Sequence, residues 1–239
     1  MKPAGGGSRP PHELRVGVAV PAAGSGARMG GARKPFLELA GEPLLLHALR
    51  PFLAEPRVVA VVVALAPPDA DAPPPWLVGL DPRVRVVAGG ATRTESVRRA
   101  LAGLSAELDV IAVHDAARPL VTPEVVSACI ALAASGVGAV AGCPAVDTVK
   151  RVDAEGVVIG TPDRAALWQA QTPQVFPAGA LRDAYAVEAA EGTDDAALVE
   201  RARPGFPIRM VDAGPANLKV TRPEDVPVAE ALLALRARR

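Results

Sequence analysis

Five short runs of apolar, mostly β-branched residues recur along this chain, separated by segments with other spacing. Strands buried on both faces carry apolar side chains at nearly every position, so such runs are typical of a mostly parallel sheet covered by helices. The pattern therefore predicts an α/β fold. The predicted strands are Val16–Val20, Val58–Leu65, Val84–Val87, Val110–Val113 and Gly138–Gly142.

Helix signals lie between and after these strands. Thr94–Leu104 has apolar residues at helical spacing. Thr122 is a capping residue before Pro123 and Glu124, which predicts a helix that runs to about Ala134. Thr221-Arg222-Pro223-Glu224 reads as a capping box that opens the last helix, through about Leu235. The proline-dense segment Asp69–Pro75 predicts a loop.

One segment interrupts the alternation of strands and helices. Val146–Val152 and Val157–Thr161 are extended runs around Asp153-Ala154-Glu155-Gly156, which predicts a β-hairpin inserted into the domain. The hairpin is either a decoration of the sheet edge or an arm that reaches a second subunit.

Length, charge and composition narrow the class of protein. A chain of 239 residues fits one large α/β domain or two small ones, and we expect a single domain over residues 15–239 after a disordered tail, 1–14. Zero net charge and 3% aromatic residues argue against nucleic-acid binding. No apolar stretch reaches the roughly 18 residues of a membrane span, and the start of the chain lacks a signal-peptide core. We expect a cytoplasmic protein with reduced cysteines.

The segment after the first strand has the composition of a phosphate-binding loop. Residues 21–34 read Pro-Ala-Ala-Gly-Ser-Gly-Ala-Arg-Met-Gly-Gly-Ala-Arg-Lys. Glycines let backbone N–H groups approach an anion, and Arg28, Arg33 and Lys34 add positive charge. The spacing matches neither the dinucleotide fingerprint nor the P-loop. A flexible turn with solvated charges is the alternative.

Further polar clusters follow predicted strands. Gly89–Ser96 offers N–H groups, hydroxyls and a guanidinium before a helix. The segment either binds an anion or the polar edge of a nucleotide, or is an ordinary capped turn. His114–Pro119 places Asp115 and Arg118 beyond a buried strand. Asp115 there either contacts magnesium or a ribose hydroxyl or forms an internal ion pair with Arg118.

Later polar segments add candidate groups. Thr161–Arg164 and Gln171–Gln174 flank Trp168 and indicate a structured loop wall. Lys219 lies before the last helix, next to an expected short strand. With Arg28, Lys34 and Arg118, the cations Arg164 and Lys219 could converge on one strongly anionic ligand.

In these motifs the chain resembles the 2-C-methyl-D-erythritol 4-phosphate cytidylyltransferase family over about Val16 to Leu235. Eight ordered matches are far more specific than any single one. They are Pro-Ala-Ala-Gly-Ser-Gly-Ala-Arg-Met, Gly-Gly-Ala-Thr-Arg-Thr-Glu-Ser-Val, Val-His-Asp-Ala-Ala-Arg-Pro, Asp-Thr-Val-Lys, Thr-Pro-Asp-Arg, Gln-Thr-Pro-Gln, Thr-Asp-Asp-Ala and Lys-Val-Thr-Arg-Pro-Glu-Asp.

The resemblance implies a three-layer, Rossmann-like nucleotidyltransferase domain and a homodimer joined through the hairpin arm, about residues 144–165. It implies reaction of CTP with methylerythritol phosphate in non-mevalonate isoprenoid synthesis, with Mg²⁺ and release of pyrophosphate. Another polyol phosphate, such as ribitol phosphate, is the nearest alternative acceptor, and a non-catalytic nucleotide-binding protein is the alternative outside enzymes.

The resemblance also implies roles for individual residues. Arg28 and Lys34 would stabilise the transition state at the α-phosphorus, and Arg164 and Lys219 would position the acceptor phosphate. Thr148 and Arg164 would come from the partner subunit. The cytidine nucleotide would be held by Pro21, Ala22, Ala23, Gly24, Gly90 and Ser96. The methylerythritol site would be lined by Asp115, Arg118, Thr148 and Thr193.

Two positions depart from the family pattern. The family commonly has Pro-Lys-Gln at the end of the first loop, where this chain has Arg33-Lys34-Pro35, so Arg33 could share the role of Lys34. Ala91 stands where many relatives carry an acidic residue, which excludes a side-chain contact of that kind.

Overall fold

The computed structural model describes residues 14–24, 33–187 and 192–237, and within them the chain forms a central sheet with helices on both faces. The strands are β1 (Val16–Ala22), β2 (Glu38–Leu39), β3 (Glu42–Pro43), β4 (Val58–Leu65), β5 (Val84–Ala88), β6 (Val110–Val113), β7 (Gly138–Pro144), β8 (Arg151–Val152), β9 (Val158–Gly160), β10 (Trp168–Pro177) and β11 (Ile208–Asp212). The helices are α1 (Leu44–Leu53), α2 (Pro67–Asp71), α3 (Pro75–Val78), α4 (Arg93–Ala102), α5 (Pro123–Ala134), α6 (Ala178–Ala186), α7 (Asp195–Ala202) and α8 (Asp225–Ala237).

Seven strands form the central sheet in the order β11-β7-β10-β6-β1-β4-β5. β1 pairs in parallel with β4 and β6, β4 with β5, and β7 with β11. Only β10 runs antiparallel, between β6 and β7. The mostly parallel sheet is confirmed, and all five predicted strands belong to it.

Two strands of the sheet were not predicted, β10 and β11. β10 includes Gln171–Gln174, so the expectation of a loop wall there is wrong. The polar side chains of Gln171, Thr172 and Gln174 are buried in the sheet and hydrogen-bonded to groups far along the chain, which a local pattern cannot reveal. Residues 217–221 form no strand, and the short strand expected beside Lys219 is absent from them.

The two largest hydrophobic clusters lie one on each face of the sheet, and a smaller third cluster includes Leu44 of α1 and Ala229 of α8. On one face, Leu45, Leu49 and Phe52 of α1 pack with Val126 and Ile130 of α5 against the strands. On the other face, α4, α6 and α7 cover residues such as Ala19, Val62 and Ile111. Side chains alternate between the faces along each strand, which gives the three-layer arrangement.

Three local expectations need correction. The helix α2 and the first residue of α3 occupy most of Asp69–Pro75, because a proline fits the first turn of each helix. The last helix begins at Asp225, four residues after Thr221. Its capping carboxylate belongs to Asp225, not Glu224, and accepts from the Thr221 and Arg222 amides at 2.6 and 2.8 Å.

Other predicted boundaries are close to those observed. Thr122 caps α5 through the Val125 amide, and Pro123 is its first residue, as the sequence predicts. The hairpin is present but shorter than expected, because only β8 and β9 pair around the turn with Gly156 at a φ of 85°. The predicted tail, 1–14, lies outside the described residues except for Leu14, which packs against the core.

Within the described ranges, no helix is long and apolar enough to cross a membrane.

Candidate active site at the carboxyl edge of the sheet

The ends of β1, β4 and β5 bring two glycine-containing loops into contact. Pro21 and Ala22 are the last residues of β1, and Ala23 and Gly24 follow it. A Cβ on Gly89 would lie 2.4 Å from the Ala23 Cβ, so only glycine permits this approach. The Gly89 amide donates to the Leu65 carbonyl at 2.6 Å, which ties the end of β5 to the end of β4.

The loop between β5 and α4 is held in shape by its own side chains. The Ser96 hydroxyl is buried, accepts from the Gly90 amide at 3.1 Å and donates to the Thr92 carbonyl at 2.9 Å. Thr92 caps α4 by accepting from the Glu95 amide at 3.0 Å. Ser96 therefore shapes the loop from within.

Asp115 forms the charged centre of the edge, directly after β6. It is 7% exposed, and its amide donates to the Thr172 hydroxyl at 3.0 Å. One carboxylate oxygen accepts from Arg93 Nε at 2.9 Å, and the other accepts from Lys219 Nζ at 2.7 Å. Burial acts to raise the pKa of Asp115, but the charges of Arg93 and Lys219 outweigh it and hold that pKa below its usual value.

A second carboxylate lies behind Arg93. The terminal nitrogens of Arg93 contact both oxygens of Asp195 at 2.7 and 3.2 Å, and the Tyr185 hydroxyl donates to Asp195 at 2.5 Å. Burial acts to lower the pKa of Arg93, but the carboxylates of Asp195 and Asp115 raise it overall. Two carboxylates and two cations thus share one buried network.

Arg118 contributes a cation with spare hydrogen-bonding capacity. Its Nη1 donates to the Asn217 carbonyl at 2.8 Å, while its buried Nε and the buried Asn217 Oδ1 have no partner. Burial lowers the pKa of Arg118. Buried polar atoms without partners are uncommon, and these two lie beside the loop of Asp115, whose carbonyl accepts from the Arg118 amide.

The predicted site residues divide into two groups. Around the sheet edge, the structure brings together Asp115, Arg118 and Lys219, and it places Ala23 against the loop of Gly90. Thr148 and Arg164 lie instead in the exposed hairpin arm, where Arg164 Nη1 donates to the Val146 carbonyl at 2.8 Å.

Three further predicted residues lie at the margins of the described ranges. Arg28 falls outside them. Lys34 opens a short 3₁₀ turn, Lys34–Phe36. Thr193 is exposed and directly precedes Asp194, whose carboxylate caps α7. The neighbouring Arg33 is engaged by Asp69 at 2.7 Å.

Sequence reasoning missed three members of the buried network. It noticed Arg93 only as part of the Gly89–Ser96 segment, and it did not single out Tyr185 or Asp195. A signal for Asp195 existed, because it belongs to the Thr-Asp-Asp-Ala motif of residues 193–196.

This fold and site define the chain as an α/β nucleotidyltransferase: a mostly parallel sheet carries glycine loops, cations and a buried carboxylate at its carboxyl edge. The family model for IspD, 2-C-methyl-D-erythritol 4-phosphate cytidylyltransferase, matches residues 16–235. The chain therefore belongs to the 2-C-methyl-D-erythritol 4-phosphate cytidylyltransferase family and is an enzyme of the nucleotidyltransferase class.

Curated relatives agree along nearly the whole chain. The cytidylyltransferase of that name from Symbiobacterium thermophilum is 46% identical and aligns over 95% of this chain and 96% of its own length. The protein of the same name from Parasynechococcus marenigrum is 44% identical over 91% of this chain and 97% of its own length.

Solved structures agree with the fold. The 4-diphosphocytidyl-2C-methyl-D-erythritol synthase of Anaerococcus prevotii has a TM-score of 0.83 at 26% identity, covering 93% of this chain and 97% of its own. The 2-C-methyl-D-erythritol 4-phosphate cytidylyltransferase of Thermus thermophilus has a TM-score of 0.73 at 34% identity, covering 92% and 98%.

Proposed function

We propose that this chain transfers the cytidylyl group of CTP to 2-C-methyl-D-erythritol 4-phosphate. The products are 4-diphosphocytidyl-2-C-methyl-D-erythritol and pyrophosphate, in the supply of isoprenoid precursors. One structural observation supports this proposal most strongly. Arg93, at the end of the glycine loop that contains Gly90, contacts Asp115, which also contacts Lys219. The proposed nucleotide loop and acceptor site therefore lie at the same edge of the sheet.

The nucleotide side of the site is built from backbone. Pro21 and Ala22 end β1, Ala23 and Gly24 follow it, and Gly90 and Ser96 come after β5. Alanine and glycine carry no large side chains, so in this proposal a planar base lies against the main chain of these residues. In this proposal the six residues hold the cytidine.

The triphosphate needs positive charge at the first loop. Arg28 and Lys34 supply it in this proposal and stabilise the charge that develops at the α-phosphorus. Arg33, which on sequence grounds could share the role of Lys34, is paired with Asp69. That pairing favours Lys34 as the triphosphate ligand.

The acceptor side carries the complementary groups. Lys219 donates one hydrogen bond to Asp115, and its side chain is 39% exposed. Its ammonium therefore retains donors for the acceptor phosphate. We assign the hydroxyls of the acceptor to Asp115, Arg118, Thr148 and Thr193, and the phosphate to Lys219 and Arg164.

The chemistry follows from these charges. A phosphate oxygen of the acceptor attacks the α-phosphorus, and the bond from that phosphorus to the bridging oxygen of the β-phosphate breaks. The nucleophile is already an anion, so the step requires no strong base. Holding two polyanions in line is the main task, and cations with fixed positions perform it.

Magnesium fits this site as an ion carried by the triphosphate. Among the described residues, no group of three or more histidine, cysteine, aspartate or glutamate side chains could hold a metal ion. Both oxygens of Asp115 are already engaged by cations. Mg²⁺ commonly binds through substrate phosphates with retained waters, and there it would neutralise triphosphate charge.

The hairpin arm supports a homodimer. Several of its apolar side chains are exposed to solvent in the single chain. Those at least half exposed include Val146, Val152, Val158 and Ile159. Exposed apolar surface of this kind is typical of a contact with another protein. We propose that the arm packs on a second copy and delivers Thr148 and Arg164 to the partner's site.

A cytoplasmic location completes the proposal. The two thiols, Cys129 and Cys143, are buried and unpaired, which agrees with a reducing compartment.

A pyrophosphate-release assay tests the proposed function. Each of the four nucleoside triphosphates is paired with methylerythritol phosphate and with ribitol phosphate. We expect turnover with CTP and methylerythritol phosphate above every other pair. Preference for ribitol phosphate would assign a different acceptor, and no turnover with any pair would contradict an enzymatic role.

A further inference from the structure

Arg93 joins the two buried carboxylates described above. Its Nε contacts Asp115 at 2.9 Å, and its terminal nitrogens contact Asp195 at 2.7 and 3.2 Å. Asp195 is fully buried, and it also accepts from Tyr185. One planar guanidinium therefore connects the loop after β6 to α7 and, through Tyr185, to α6.

This geometry fixes the orientation of Asp115 rather than merely balancing its charge. A guanidinium presents its donors in one rigid plane, so three contacts to two carboxylates leave little freedom for either. The Asp115 amide is also held by Thr172. The direction of the carboxylate oxygen that contacts Lys219 is consequently set by the contacts of Arg93 with the other oxygen and of Thr172 with the backbone.

Lys219 depends on Asp115 for its own position. Its side chain is partly open to solvent, and its one described hydrogen bond is the 2.7 Å contact to Asp115. A flexible lysine stem without that contact would lose rotamer freedom only when substrate binds, at a cost to affinity. Successive hydrogen bonds therefore restrain these side chains: Tyr185 and Asp195 hold Arg93, Arg93 holds Asp115, and Asp115 holds the Lys219 ammonium.

We propose that Arg93 is a positioning residue that, through Asp115, presents the ammonium of Lys219 to the phosphate of the acceptor alcohol. This inference rests on the proposed function, because it takes Lys219 to be a ligand of that phosphate. Arg93 itself touches neither reacting group.

Arg93→Lys tests the inference, since lysine keeps the charge but cannot contact both carboxylates in one plane. We expect the KM for methylerythritol phosphate to rise by about tenfold, since small displacements of a positioned group are costly. The KM for CTP should stay within about twofold of the wild-type value, because in this proposal Lys219 binds the acceptor and not CTP. Arg83→Lys is the matched control, because Arg83 is also 28% exposed and also paired with a carboxylate, Asp81.

A second variant covers the case in which Arg93→Lys does not fold. Tyr185→Phe removes only the hydroxyl that donates to Asp195, and we expect a smaller rise in the same KM. A purely structural role of Arg93 would lower the melting temperature and the active fraction without separating the two KM values, and that result would overturn the inference. A wild-type enzyme that turns over no acceptor would instead overturn the proposed function and the inference with it.

Discussion

At the scale of single residues, binding of the triphosphate in the proposed reaction requires cations that have no carboxylate partner within the protein. Arg33 and Lys34 are neighbours with the same charge, and the sequence could not divide the work between them. The structure gives Arg33 a carboxylate partner in Asp69, 36 positions away. Long-range pairings of this kind, like those of Arg93, are the part of the site that local motifs cannot predict.

The first prediction concerns these two cations. Lys34→Ala should lower kcat by about 100-fold, the usual cost of removing one stabilising donor from a transition state. Arg33→Ala is the control and should leave kcat within about twofold, since its guanidinium is engaged elsewhere. Steady-state kinetics with circular dichroism as a folding check decide the matter. A larger loss in Arg33→Ala than in Lys34→Ala would reverse the assignment.

The second prediction concerns acid stability and His114. Burial lowers the pKa of His114 from 6.5 to about 4 in the folded protein. Between those values the unfolded chain binds the proton more readily, so the free energy of unfolding falls as the pH falls from about 6.5 to about 4. The loss attributable to His114 is about 3 kcal/mol at full protonation of both states.

Urea unfolding at several pH values measures this loss. His114→Gln should remove it, so that the difference in unfolding free energy between the variant and wild type changes across this pH range and is constant above it. A difference that does not vary with pH would contradict a buried neutral His114.

At the scale of elements, the sequence predicts the strands that are continuous apolar runs. It does not predict strands whose polar side chains are satisfied by residues far along the chain. The five strands that are apolar runs are all present. β10 escaped notice because it contains glutamines, a threonine and prolines, and its Gln174 is satisfied by Asp194 and the Ala196 amide across the chain. The Asp115 loop was found because an acid directly after a buried strand is a local signal.

The third prediction concerns the start of α8, just beyond Lys219. Asp225→Ala should lower the free energy of unfolding by about 1 kcal/mol, because the carboxylate caps the Thr221 and Arg222 amides. Glu224→Ala is the control and should have little effect, although the sequence favoured it as the capping acid. If both variants lowered the free energy of unfolding equally in chemical denaturation, Glu224 would be a capping residue as the sequence predicts.

At the scale of the whole molecule, the proposed site residues do not all lie at one place in the single chain. The sheet edge gathers Asp115, Arg118 and Lys219, but Arg164 lies in an exposed arm, bonded to the Val146 carbonyl of the same arm. A second copy is the simplest way to bring Arg164 to an acceptor phosphate. The single-domain organisation of residues 15–239 stays a prediction.

The fourth prediction tests this sharing of residues between subunits. Lys34→Ala and Arg164→Ala chains should each be nearly inactive alone. After mixing and subunit exchange, a mixed dimer contains one intact site, so equal amounts should recover about a quarter of wild-type activity. Size-exclusion chromatography with light scattering checks that dimers are present. No recovery from exchanged dimers would place both residues in the site of one chain.

Isotope labelling shows directly whether the acceptor phosphate attacks the α-phosphorus of CTP. Methylerythritol phosphate labelled with ¹⁸O on its phosphate is incubated with CTP and the enzyme, and the products are analysed by mass spectrometry. We expect a cytidine diphosphate ester that retains all of the label and pyrophosphate that carries none, because the acceptor phosphate attacks the α-phosphorus. Label in the pyrophosphate, or release of CMP without the ester, would contradict it.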